Sequence, residues 1–296
     1  MIAAIQPWDD EIRRCVQKQD FTTVFQPVFS LDTRQPVRYE MLARFDVISA
    51  SGQPASTQLI VDRITCLNLT CAFDMAVLDK ALQLLALMRE SYGHHLYLAV
   101  NVCPTSLASE CFVNALLGWL AAHRLAPGQL MLEITEGTAL DPTVQAQVLP
   151  RLIAHSVVLA VDDFMTGHAN FNALLLSEVS VVKVDRSVTA ELNISAMARR
   201  FIRGLVPFME SLSKRLVVEG VENASQLRFL EAMGCEYVQG FFLGRPMAQE
   251  HLADYCRQPP AIREPGIFSE RDLLAFQTHE GPESNQTQRS HDRIRH

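Results

Sequence analysis

VVLAVDDF at residues 157–164, followed after a helix-length gap by VSVVKVD at 179–185, decides the fold of this chain. Each is a short, nearly continuous apolar run, the composition of a strand buried on both faces in a parallel sheet. Each also closes on charge, Asp162 and Asp163 in the first run, Lys183 and Asp185 in the second. Six more runs share the pattern: FTTVFQPVFSL (21–31), RYEMLARF (38–45), LYLAVNV (96–102), LMLEIT (130–135), RLVVEGV (215–221) and YVQGFFL (237–243). The segments between them are mostly long enough for a crossover helix, so strand and helix alternate and an α/β barrel is expected. Polar residues at the strand ends then share one mouth, where catalytic groups of such barrels converge: Glu40, Asn101, Glu133, Asp162, Asp163, Lys183, Glu219 and Gln239.

The 296 residues fit one barrel of roughly 250 residues with modest extensions. The expected division is a lead-in helix over 1–20, the barrel over 21–256 and a polar, largely disordered tail over 257–296 in which Leu273, Leu274 and Phe276 dock a small helix. Helices are expected over about 58–89, 105–124, 141–155, 169–176, 194–213, 223–233 and 249–256. Hydrophobic residues at 48% and charged residues at 20% supply a large core. The longest apolar runs are too short to span a bilayer and the first residues lack a secretory pattern, so no membrane contact and a cytoplasmic location are expected. Seven scattered cysteines, none in a C-x-x-C pair, read as reduced, buried thiols. A net charge of −7 without a basic block gives no support to direct DNA binding.

Apolar strands that end in acid need an electrostatic account. Glu40, Glu133, Asp162, Asp163 and Glu219 crowd one rim and repel unless compensated. Divalent cations compensate them, and hard oxygen ligands with one amide, Asn101, suit Mg2+ or Mn2+. Consecutive strand residues point to opposite faces, so Asp162 and Asp163 both reach a metal only where the strand turns, and one of them can bridge two ions. Lys183 is one of only four lysines, and alternation puts it on the same face as Asp185. Two metals, a lysine near the attacking water and a dry pocket are the parts of metal-assisted phosphodiester hydrolysis.

These residues, with the motifs FQPVFSL, YEMLAR, NVCP, LEITE, VDDFMTGH, VVKVD, VVEGVE and VQGFFLGRP in order, resemble the EAL domain family of bacterial cyclic di-GMP phosphodiesterases over about Phe21 to Met247. The resemblance implies a modified TIM-type (β/α)8 barrel. It implies one metal ion on Glu40, Asn101, Glu133 and Asp162, and a second on Asp162, Asp163 and Glu219. It gives Lys183 the role of holding the attacking hydroxide, Glu219 a second role as proton acceptor, Gln239 that of orienting the site, and Asp185 that of pairing with Lys183. Gln26, Leu42 and Arg44 are the implied substrate contacts, cyclic di-GMP the substrate, linear pGpG the product and a homodimer the assembly.

Five positions depart from the family pattern, the fifth being His168 where the family has tyrosine. Met41, Cys103 and Val218 are small, apolar exchanges. The fourth, Met165, stands in DDFMTGH where the family has glycine, and if positive φ is needed there methionine costs on the order of 1–2 kcal/mol. The family anchors that loop through the glutamate equivalent to Glu136 and couples it to a dimer interface. His168 reads as a surface loop residue. Two readings of different class follow: a phosphodiesterase, or a weak or inactive regulator that binds cyclic di-GMP or a protein partner and thereby controls transcription, virulence or motility.

Overall fold

The computed structural model describes residues 8–47, 53–93, 96–135, 140–165, 171–258 and 262. In chain order they form α1 (Asp9–Lys18), β1 (Thr22–Ser30), β2 (Pro36–Arg44), α2 (Thr57–Cys66), α3 (Thr70–Tyr92), β3 (Leu98–Val102), α4 (Pro104–Leu107), α5 (Glu110–His123), β4 (Leu130–Thr135), α6 (Leu149–Ala154), β5 (Val158–Phe164), α7 (Phe171–Leu174), β6 (Val179–Val184), α8 (Arg186–Ala190), α9 (Ala196–Ser211), β7 (Arg215–Val218), α10 (Ala224–Ala232), β8 (Tyr237–Gln239), β9 (Met247–Ala248) and α11 (Gln249–Arg257). Strands β2 to β8 are parallel neighbours in sequence order, and β1 closes the barrel between β8 and β2.

The alternation expected from sequence fails at the first junction. Only the turn 31–35 separates β1 from β2, too short for a crossover, so β1 is antiparallel to both β2 and β8. Reversal puts Gln26 opposite Glu40 at the mouth and Ser30 at the floor. The 58–89 stretch is two helices, because Asn68 takes φ 56° and turns the chain between α2 and α3. The 141–155 stretch opens as a wide π-type turn over Val144–Val148 before α6, with Pro150 in its first turn. Two short elements escaped the sequence pattern: α8, capped by Asp185, and β9 on the edge of β1.

Apolar faces meet in two layers outside the sheet. One joins α1, α2, α3, α5 and α6 to β2–β5 through residues such as Ile12, Leu78, Leu85, Leu116 and Leu132. The other joins α9 and α10 to β6–β8 through Ile202, Leu227, Val182 and Val218. Each fully buried side chain of this size contributes about 1.5–3 kcal/mol relative to exposure. The described part of the lead-in segment, residues 8–20, is part of this core: α1 buries Ile12, Cys15 and Val16, and buried Asp9 accepts from Arg63 of α2 at 2.6 Å. Ile262 is buried in the second layer and donates its N–H to Arg34 O at 3.0 Å, while Leu273, Leu274 and Phe276 lie outside the described residues. All seven cysteines are free thiols, but Cys66 and Cys111 are exposed on helix surfaces, against the expectation of burial. No described helix is long and apolar enough to cross a membrane.

Candidate active site

Strand alternation stacks the lumen side chains in layers. Gln26, Glu40, Asn101, Glu133, Asp162, Lys183 and Gln239 make the mouth layer, and Val28, Ala99, Met131, Ala160, Val181 and Val217 the apolar layer beneath it. Glu219 follows β7 directly, held by its N–H to Val184 O at 3.0 Å. Two glycines allow the loop after β7 to pack against the start of α8 on one side and the loop after β8 on the other. Gly220 has φ +74° and a Cβ there would lie 2.3 Å from Arg186 Cβ; at Gly240 a Cβ would lie 2.1 Å from Val221 O. The result is a direct clasp, Val221 N–H to Gln239 O at 3.0 Å, that sets Glu219 beside Gln239.

Lys183 is the hub. It is 1% exposed, and its Nζ lies 2.6 Å from Glu219 Oε1, 2.9 Å from Glu133 Oε2, 3.1 Å from Asp162 Oδ1 and 3.5 Å from Glu40 Oε2. Glu40 Oε1 accepts from Asn101 Nδ2 at 3.1 Å and Oε2 from Gln239 Nε2 at 2.8 Å. Burial alone would raise the Glu40 pKa, but Lys183 and the two amides hold it below the usual carboxylate range. The other acids go the opposite way. Burial, helped by neighbouring carboxylates and opposed by Lys183, pushes Glu133 well up, raises Asp162 and takes Glu219 to about 8. Burial would depress Lys183, yet the surrounding carboxylates hold it well above its ordinary value.

Asp162 and Asp163 reach the same side by a device the sequence did not reveal. The β5–β6 register is irregular between Val161 and Phe164, and Asp163 takes φ 55° while donating its N–H to Asp162 Oδ1 at 2.9 Å. This is a bulge within the strand rather than a strand end, and it turns two successive side chains toward one site. Burial and then Asp162 raise Asp163 to about 6. Met165, two residues on, has φ 87° and is 40% exposed, so the glycine-type conformation expected at this position is present. Met165→Gly is expected to raise the unfolding free energy by about 1–2 kcal/mol, because the left-handed conformation strains any residue with a Cβ. A melting curve superimposable on wild type would count against that strain. Glu136, Thr166, Gly167 and His168 lie outside the described residues.

The predicted substrate contacts line the β1–β2 side of the mouth. Gln26 is buried with Nε2 3.4 Å from Gly244 O, Leu42 and Arg44 are half-buried, and Arg44 Nη1 donates to Ala43 O at 2.8 Å. Asp185 does not sit where the sequence put it. The strand ends at Val184, so alternation stops, and the Asp185 carboxylate caps α8 by accepting from Ser187 N–H at 2.9 Å; the described Lys183 ion pairs are with the four other acids.

One positioning residue was missed. Asp74 of α3 is buried and accepts from Cys103 N–H at 2.9 Å, tying the turn after Asn101 to the outer helix. Its sequence signal was an acid on the apolar stripe that includes Leu78, Ala81 and Leu85. Burial raises its pKa to about 6, opposed by Ser106 and the Cys103 N–H. An acid raised in the folded state binds protons that the unfolded chain has released, so stability is greatest below about pH 4 and is lost as pH rises to about 6. At about 1.4 kcal/mol per pH unit, wild type should lose about 2–3 kcal/mol relative to Asp74→Asn across that window. Urea titrations in chelator at several pH values measure it, and a pH-independent difference would refute it.

The geometry fits divalent metal. Carboxylate oxygens of Glu40, Glu133 and Asp162 lie within 4.8 Å of one another, and so do those of Asp162, Asp163 and Glu219, with Asp162 common to both sets. Glu133 Oε1 is buried without a hydrogen-bond partner, an orphan acceptor that a cation would satisfy. All donors are hard oxygens.

Comparison with known proteins agrees with this architecture. The chain is 29% identical over 247 residues to the cyclic di-GMP phosphodiesterase RocR of Pseudomonas aeruginosa, covering 83% of this chain but only 62% of RocR. Among solved structures it superposes on PaMucR phosphodiesterase in its c-di-GMP complex with TM-score 0.73, 27% identity and coverage of 82% and 98%. The EAL domain of FimX from Pseudomonas aeruginosa, bound to c-di-GMP, gives TM-score 0.70, 27% identity and coverage of 81% and 96%. The EAL domain profile matches residues 9–246, from α1 through the last barrel strand, and with that match the barrel and its acid-lined mouth identify the chain as a member of the EAL domain family.

Proposed function

We propose that this protein hydrolyses cyclic di-GMP to linear pGpG with two Mg2+ or Mn2+ ions. The observation that carries the reading is Asp162 shared between two carboxylate sets around a single buried lysine. Five carboxylates against one ammonium leave four negative charges, which two divalent ions balance. Glu40, Asn101, Glu133 and Asp162 would hold one ion, and Asp162, Asp163 and Glu219 the other. Bound there, the ions supply Lewis-acid polarisation of the phosphodiester and neutralise the charge that develops on it. Lys183 supplies a fixed cation beside the reacting water, Glu219 accepts the proton that water loses, and Gln239 keeps Glu40 oriented. Gln26, Leu42 and Arg44 contact the substrate, Arg44 through its planar donor fork. RocR is a cyclic di-GMP phosphodiesterase, and PaMucR and the FimX EAL domain are seen bound to c-di-GMP, which supports the substrate class. A cytoplasmic homodimer with the loop after Asp163 near the subunit contact completes the reading.

The positive φ of Met165 favours a second reading, in which the loop is strained, turnover is lost and the barrel acts by binding cyclic di-GMP or a protein partner to control transcription, virulence or motility. One assay separates the two. Purified protein is incubated with cyclic di-GMP and Mg2+ or Mn2+, and pGpG is followed by chromatography beside a Glu40→Ala control. Product above the control supports the enzyme; none with either metal transfers the case to the binding protein. In the same assay Met165→Gly is expected to raise the rate several-fold, and an unchanged or lower rate would show that the departure is harmless.

A further inference from the structure

The lumen does not end at its apolar layer. A cavity of about 960 Å³ opens at the opposite face of the barrel from the carboxylate mouth and runs up to the undersides of Glu133 and Lys183. Its shaft is walled by Val28, Met131, Val158, Val181 and Val217.

Its entrance is polar and cationic. Arg38 and Arg215 flank it with Tyr97, Tyr237, Ser30 and Ser180. Arg38 is clamped in place, donating to Leu98 O and Gly128 O at 2.9 Å each, with its guanidinium 5.8 Å from the Tyr97 ring centre. Neither arginine has an ion-pair partner among the described residues. Burial lowers the Arg38 pKa to about 10, opposed by Glu133 and Tyr97 and helped by Arg215, so two guanidinium groups lie close together at one entrance. The Arg38 guanidinium donates to carbonyls and feels Glu133 without pairing with it, which leaves its charge only partly compensated.

We propose that this floor cavity binds a small amphiphilic carboxylate, its head group between Arg38 and Arg215 and its apolar body in the valine-lined shaft. The dimensions set the size. Two residues of strand, from Arg215 to Val217, span about 6.6 Å at roughly 3.3 Å per residue, which admits one chain of medium length and excludes a two-chain lipid. Exposed Asp32 beside the entrance disfavours a second negative charge on the ligand. The site opens on the other face from the metal mouth and meets it only beneath Glu133 and Lys183, and the proposal does not rest on the phosphodiesterase reading.

Calorimetric titration of the full chain with octanoate tests it, with 1-octanol and octylamine as comparators of equal chain length. Saturable one-to-one binding of octanoate is expected, at least tenfold tighter than either comparator. Arg215→Glu, at an exposed rim position, should weaken it at least tenfold, while Arg13→Glu, the same charge change on α1, should leave it unchanged. No saturable binding, equal binding of octanol, or equal effects of the two arginine variants would overturn the proposal.

Discussion

Lys183→Met is expected to abolish hydrolysis, by at least about a thousandfold, and to cost the metal-free protein about 3–5 kcal/mol of stability. The ammonium contacts four carboxylates and is 1% exposed, so its removal leaves several acids buried without their counter-ion. Breaking a buried pair by deleting one partner carries a penalty of about that size. The variant also acquires a signature of its own. Lacking Lys183, the acids are raised further by burial and mutual repulsion, so the folded state holds extra protons and the variant's stability falls as pH rises from about 4 toward 8. Acid should therefore rescue it in chelator, and saturating Mg2+ should rescue it at neutral pH. Unfolding titrations with and without metal measure both effects; a variant as stable as wild type at pH 8 in chelator would sink the account of Lys183 as counter-ion.

Glu40→Ala should be nearly as severe for turnover, with a loss of about a thousandfold or more, but milder for folding. Glu40 belongs to the first carboxylate set and is the shared acceptor of Asn101 and Gln239. Its loss would remove one of the proposed ligands and release two amides of the rim, and outer partners of this kind typically change metal affinity about 10–100-fold by themselves. Glu40→Gln separates the two contributions, since it keeps a side chain able to bond the amides while deleting the charge. If charge dominates, both variants lose activity and weaken Mn2+ binding equally in a metal titration. Full metal-dependent activity in Glu40→Ala would remove the carboxylate rim from the mechanism.

Much of the site was legible because barrel strands write their function at fixed places. Glu40, Asn101, Glu133, Lys183 and Gln239 lie at inward positions of successive strands, and the alternation that buries Val181 also turns Lys183 into the lumen. Asp185 was misread for the same reason in reverse: the rule of two was carried one residue past the end of β6, where the chain had already begun α8. Asp74 was passed over because it comes from an outer helix, and only packing brings it under the Cys103 turn. The pair Arg38 and Arg215 was equally silent, since each looks like an ordinary charge near the start of a strand until the barrel closes and both face one cavity.

By itself the sequence determined the barrel class, the family and the acid-rich mouth, because burial on both faces demands apolar runs and barrel geometry collects their polar ends. Only the tertiary structure decided the reversed β1, the bulge that turns Asp162 and Asp163 together, the lysine shared by four carboxylates and the open floor. Those features depend on chain direction, φ sign and the meeting of side chains from distant strands, and local patterning carries no record of which segments will close upon one another.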